Sequence, residues 1–260
     1  MFSSVFGVEK PFIGMVHLPP LPGSVRHRGE GLKAVLDRAL SDLSALEEGG
    51  ADAALVENFG DAPFPKRASK ATVAYMTVIV GELVSHADIP IGVNVLRSDG
   101  EAALAIAAAT GARFIRVNVF CGVAFTDQGV IEGEAQRLLA LRRALGAEVT
   151  ILADVNVKHA WHPLPLSQAA RDAARNLPDA LIITGAGTGQ PATPQDLMEA
   201  KAASGLPVLV GSGITPENVT EFAVADGFIV GTALKEGGEA PVSPALVEAI
   251  AERIAALRGR

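Results

Sequence analysis

The sequence predicts an α/β fold, a single (β/α)8 TIM barrel occupying residues 1–260, and three observations carry that expectation. Eight short runs rich in β-branched and apolar residues alternate with eight Ala/Leu-rich helical segments. The runs are almost continuously apolar, as strands of a parallel sheet are when helices cover both faces. No Pro/Gly/Ser-rich linker divides the chain into halves, and 260 residues match one such barrel.

The strands are expected at Phe12–Leu18, Ala53–Phe59, Ile89–Leu96, Phe114–Phe120, Val149–Val157, Ala180–Thr184, Val208–Val210 and Phe228–Val230. Helices are expected near 32–48, 68–86, 99–110, 132–145, 167–176, 194–204, 216–223 and 243–257. Thr193-Pro194, Thr215-Pro216 and Ser243-Pro244 each place a capping residue before a proline at the first helical position. Asp99 and Ser167 read as N-caps of the third and fifth helices. Gly49, Gly50 and Gly111 follow helical runs, where a left-handed residue ends a helix.

Composition excludes several function classes. With 22 basic and 29 acidic residues the net charge is -7, and no basic run offers an electrostatic footprint for nucleic acid. No apolar stretch approaches the roughly 20 residues of a transmembrane helix. Nor does the start of the chain read as a signal peptide. The single cysteine, Cys121, reads as a buried inert thiol, and a cytoplasmic setting is expected.

Chemistry in such barrels gathers at the C-terminal ends of the strands. Here those ends carry His17, Glu57 with Asn58, Asn94, Arg116 with Asn118, Asp154 with Asn156, Thr184, Ser212 and Thr232. Asn58, Asn94, Asn118 and Asn156 are the expected substrate-binding side chains. Strand seven runs into Gly211-Ser212-Gly213 and then Thr215-Pro216, and strand eight into Gly231-Thr232. Glycines let an anion approach the main chain, and a helix start offers free N–H groups, so this pair of turns is the expected phosphate cradle. Gly185 and Gly187, in the glycine-rich loop 185–191, either add donors or belong to a cover or a plain connection. A dinucleotide site is excluded because Pro216 stands where the fingerprint needs glycine.

The expected catalytic residues are Asp154, Glu57, His17 and Lys158. Carboxylates near the top of an apolar barrel are desolvated toward a pKa useful for proton transfer. If strand five continues far enough, Asp154, Asn156 and Lys158 share a face. Asp154 with Lys158 then forms either an acid–base pair or a neutralised ion pair, and Lys158 is also a candidate Schiff-base amine. No cofactor is called for. The alternative open to His17, Glu57 and Asp154 is a divalent metal, although no H-x-H or H-E-x-x-H spacing supports one. His159 and His162 read as surface residues, and His27, Arg26 and Arg28 as first-loop residues that either are solvated or reach an anionic substrate. Three prolines stiffen the loop after strand one, and the loop after strand two is similarly rigid and polar, which argues for a site at this face.

The segments 17–24 (HLPPLPGS), 56–64 (VENFGDAPF), 151–159 (ILADVNVKH), 185–189 (GAGTG), 210–218 (VGSGITPEN) and 225–235 (ADGFIVGTALK) together resemble the BtpA family over roughly residues 5–250. The glycine motifs are also similar to those of ribulose-phosphate-binding barrels. The resemblance implies a (β/α)8 barrel, a link in cyanobacterial members to photosystem I biogenesis, and in other bacteria an enzyme on a phosphorylated sugar-like compound. The expected partner is therefore a phosphorylated small molecule, with proton-transfer chemistry of the lyase or isomerase type. A non-catalytic assembly factor acting at a membrane surface is the alternative, and homo-oligomerisation is left open.

Overall fold

The computed structural model describes residues 2–185, 187 and 192–259. Eight parallel strands close into a barrel: β1 Phe12–His17, β2 Ala53–Glu57, β3 Ile91–Asn94, β4 Phe114–Val117, β5 Thr150–Val155, β6 Ala180–Ile183, β7 Val208–Val210 and β8 Gly227–Val230. Neighbours in sequence are neighbours in space, and β8 pairs with β1 to close the ring. The order follows from short right-handed crossovers, each covering the outer face of the sheet.

Alternation sends one set of side chains to the barrel axis and the other to the helices. Ile13, Met15, Leu55, Phe114, Leu152 and Ile182 fill the lower interior. Gly92 lies inside the same layer, where a Cβ would meet the Phe114 ring at 2.2 Å. One large ring thus occupies the space of two side chains. A short N-terminal helix, Phe2–Phe6, plugs the bottom of the barrel, with Phe6 edge-on to Phe114 at 5.2 Å. It was not expected from the sequence because five residues are too few to show a period.

The covering helices include Leu32–Glu48, Lys70–His86, Gly100–Thr110, Pro194–Ser204 and Pro244–Ala255. Asp99 caps its helix by accepting from the Ala102 N–H, and Thr193 forms a reciprocal capping box with Asp196. Gly50 and Gly111 take the left-handed conformation after their helices.

Three expectations are corrected. The fifth-position helix Leu166–Arg175 is preceded by Pro165 rather than capped by Ser167. Ser243 precedes its helix without a side-chain cap bond. The helix expected over 216–223 is a single 3-10 turn, Val219–Phe222. There the Thr215 N–H donates to Asn218 Oδ1 and Asn218 Nδ2 donates to the Gly213 carbonyl, so the side chain closes the loop on itself. The helix start that was to supply phosphate donors is absent.

A second sheet also escaped the sequence reading. After β4 the chain forms a hairpin, Val123–Thr126 with Gly129–Glu132, and Ala160–Trp161 beyond β5 joins it as a third antiparallel strand. The signal was present as Thr126-Asp127-Gln128-Gly129 between two alternating segments, with Gly129 at positive φ. The apolar bias of the barrel strands hid it.

Candidate functional site

The top layer of the barrel interior is polar because alternation carries the inward positions past the last apolar ring. His17 pairs in register with Glu57, Glu57 with Asn94, and Asn94 with Arg116. Four adjacent strands therefore place four polar side chains side by side. Asp154 stands two residues beyond Leu152, the residue paired with Arg116. Above this layer opens a cavity of about 600 Å3 at the C-terminal face, lined by His17, Glu57, Arg97, Arg116, Lys158 and Lys235 among others.

Asp154 is fully buried and gripped by Arg116. Its carboxylate accepts from Arg116 Nε at 3.0 Å and Nη2 at 3.0 Å, and from Asn118 Nδ2 at 2.8 Å. Strand β5 ends at Val155, and Asn156 turns to positive φ, so Asp154, Asn156 and Lys158 do not share one extended face. Asp154 is neutralised by Arg116 rather than by Lys158, and both charges are committed to each other. Arg116 was legible only as a polar strand end.

His17 and Glu57 are brought together, with His17 Nε2 lying 3.7 Å from Glu57 Oε1. Asn94 Nδ2 donates to the other Glu57 oxygen at 2.5 Å. On the opposite edge of the imidazole, Lys235 Nζ lies 3.4 Å from Nδ1. Burial drives the His17 pKa down to about 3, aided by the charges of Lys235, Lys158 and Arg116. The His17–Glu57 contact is thus between a neutral ring and a carboxylate rather than an ion pair. The ring also stacks on Phe59, with centroids 4.5 Å apart.

Lys158 and Lys235 both face the cavity. Burial lowers the pKa of each, and for Lys158 the Arg116 charge adds to the effect. Neither ammonium has a carboxylate within ion-pairing distance among the described residues. Lys158 is oriented by its backbone, whose N–H donates to Thr184 Oγ1 and whose carbonyl accepts from Arg97 Nη2 at 2.7 Å. Arg97, Lys235 and Phe59 were missed by sequence reasoning because each sits past a strand end, where periodicity stops. Arg26 and His159 are exposed, as expected of loop residues, and also line the rim of the cavity. Asp127 and Gln128 reach it from the hairpin.

The expected substrate-binding asparagines separate. Asn58 spends both ends of its amide on loop structure, donating to Asp61 and accepting from the Leu96 N–H. Asn94 holds Glu57, and Asn118 holds Asp154 while lining the cavity. Asn156 lies instead on a smaller cavity of about 120 Å3 beside Cys121, whose thiol pKa burial raises to about 11. Among the described residues no cluster of His, Cys, Asp and Glu has the geometry of a metal site.

Gly211, Ser212, Gly213, Gly231 and Thr232 do not line the main cavity. Two of these glycines have an interior reason. A Cβ on Gly211 would stand 2.5 Å from Ile182 Cγ2, and one on Gly231 would stand 3.0 Å from His17 Cε1. Gly213 needs its positive φ of 71°. Ser212 Oγ accepts from the Gly185 N–H at 2.8 Å, tying the β6 and β7 ends together. Of the loop 185–191, Gly185 and Gly187 are described, and the remainder of that expectation lies outside the described residues.

A family model described as the BtpA family matches residues 8–256. An uncharacterized protein of Pyrococcus abyssi is 50% identical over 255 residues, spanning 96% of this chain and 98% of its own. The photosystem I biogenesis protein BtpA of Synechocystis sp. is 47% identical over 259 residues, covering 96% of this chain and 90% of the relative. Among solved structures, (S)-3-O-geranylgeranylglyceryl phosphate synthase from Thermoplasma acidophilum, in complex with sn-glycerol-1-phosphate, matches with a TM-score of 0.61 at 17% identity over 97% of this chain and 96% of that one. N-(5'-phosphoribosyl)anthranilate isomerase from Pyrococcus furiosus matches with a TM-score of 0.58 at 16% identity, covering 95% and 99%. Identities that low carry the fold alone.

Proposed function

The chain belongs to the BtpA family, and from the chemistry of its cavity we propose an enzyme that binds a small phosphorylated, sugar-like metabolite and moves a proton on it, in lyase or isomerase fashion. One observation carries the reading. Lys158, Lys235 and Arg97 converge on one cavity around a neutral His17 that touches Glu57. Lysines desolvated without carboxylate partners invite an anionic ligand, because an incoming phosphate restores the charge balance that burial removed.

In this reading Lys235 and Lys158 hold the anion. The β7 and β8 turns lie outside this cavity, so side chains rather than main-chain amides carry the anion contact. Glu57 and His17 form the proton-transfer pair, with Glu57 as the base and the neutral imidazole beside it as a hydrogen-bond donor to the charge that develops. Asp154 and Arg116 hold the floor. Barrels whose names carry phosphorylated substrates share this fold, which supports the reading by analogy.

Calorimetry with ribose 5-phosphate as the probe tests the binding claim. Wild-type protein is expected to bind it, and Lys235→Met to weaken it by roughly tenfold or more, the worth of one charge-assisted hydrogen bond. Equal affinity in the variant rejects the assigned anion site. Exchange of a carbon-bound proton of the ligand with solvent deuterium, followed by NMR and lost in Glu57→Gln, tests the chemistry.

The second reading is a non-catalytic assembly role, suggested by the name of the Synechocystis relative. Its one structural support is an exposed aromatic pair on the small sheet, Phe125 and Trp161, 44% and 63% exposed with rings 5.2 Å apart. Among the described residues no helix is long and apolar enough to cross a membrane.

A further inference from the structure

Resting on the reading above, we propose that the ligand carries a planar aromatic group in addition to its phosphate, and that this group stacks on Phe59. The cavity is divided between two chemistries. Its cations include Arg97, Lys158 and Lys235 from the loops after β3, β5 and β8, with Arg26, Arg38 and Arg116 also on the lining. The loops after β1 and β2 add an apolar stretch of wall, with Leu18, Pro19, Pro20, Phe59 and Phe64. A sugar phosphate presents hydroxyls and charge and has nothing to set against that wall. A volume near 600 Å3 also falls in the range of sites for drug-sized ligands, larger than a bare pentose phosphate fills.

Phe59 belongs to that apolar stretch and stands beside His17. Its ring is 43% exposed although it sits in a 3-10 turn, Phe59–Asp61, that is otherwise tightly held. A Cβ on Gly60 would meet the backbone of Pro19 and Pro20 at 2.5–2.6 Å, so the turn that carries the ring is wedged against the proline loop. Asp61 anchors the same turn by accepting from the Leu21 N–H at 2.7 Å. One side of the Phe59 ring is stacked by His17, in the proton-transfer pair. A half-exposed aromatic on a tightly held turn beside a catalytic imidazole suits stacking with a flat ligand group, which costs little entropy to order.

Binding of inorganic phosphate, ribose 5-phosphate and adenosine 5'-monophosphate to the full chain is measured by calorimetry, with wild type, Phe59→Ala and Phe59→Trp. The nucleotide is expected to bind roughly tenfold or more tightly than ribose 5-phosphate, as base–aromatic stacking provides. Phe59→Ala is expected to erase that margin while leaving ribose 5-phosphate within about twofold, and Phe59→Trp to keep it. Equal affinities for the two organic phosphates in wild type, or a margin that survives in Phe59→Ala, overturn the stacking proposal alone. If none of the three probes binds, the phosphorylated-ligand reading falls with it. Circular dichroism of the variants separates a lost fold from a lost contact.

Discussion

Arg116 and Asp154 meet inside the barrel with almost no solvent on either side chain. A pair so placed forgoes hydration of both ions and recovers it only through good geometry, here two guanidinium bonds with a third from Asn118. Removing one charge strands the other. Asp154→Asn is accordingly expected to lower stability by about 3–5 kcal/mol, read from urea denaturation. An unchanged urea midpoint with loss of turnover would instead identify Asp154 as a reagent. His17 gives the pH dependence. Its folded pKa, about 3, lies below the unfolded value of 6.5, so at intermediate pH the unfolded chain binds a proton that the folded one refuses. Its contribution is fully present above about pH 6.5 and declines as pH falls toward 3. An NMR titration is expected to show the His17 ring unmoved between about pH 5 and 8. A midpoint near 6.5 would mean that the ring is solvated and the cavity electrostatics are wrong.

At the scale of elements, the strand ends behave as a unit because pairing fixes their heights. His17, Glu57, Asn94 and Arg116 form one row across β1 to β4, whereas β7 and β8 end in glycine at inward positions. Large polar side chains from one half of the barrel thereby gain the space above the other half. Gly211→Ala tests this arrangement, since its Cβ would collide with Ile182 on the neighbouring strand. A loss of about 1–3 kcal/mol is expected, the usual cost of overpacking, measured by chemical denaturation. A neutral result would return that glycine to a role in ligand approach alone.

Over the whole molecule, a net charge of -7 surrounds a cation-lined mouth. The bulk charge led to the expectation of no nucleic-acid footprint, yet said nothing about the mouth, because local lysines and arginines come from loops far apart in sequence. The same distance explains what the site reading missed. His17 and Glu57 could be read as facing the cavity because each ends a recognisable strand. Lys235 stands beyond a glycine turn, Arg97 beyond a short strand, and Phe59 just past another, where no period marks direction. Asn58 was read as a ligand residue from its position alone, and only its bonds to Asp61 and Leu96 reveal a structural task.

Alternating apolar runs and helix caps determined the barrel and its strand order by themselves, since period and burial are local properties of the chain. The polar strand ends likewise pointed to the face at which the cavity opens. Tertiary packing decided which charges were free. Asp154 could not be known as the partner of Arg116, nor Lys158 and Lys235 as cations facing His17, until closure of the ring set the distances on which Coulomb interactions and desolvation depend.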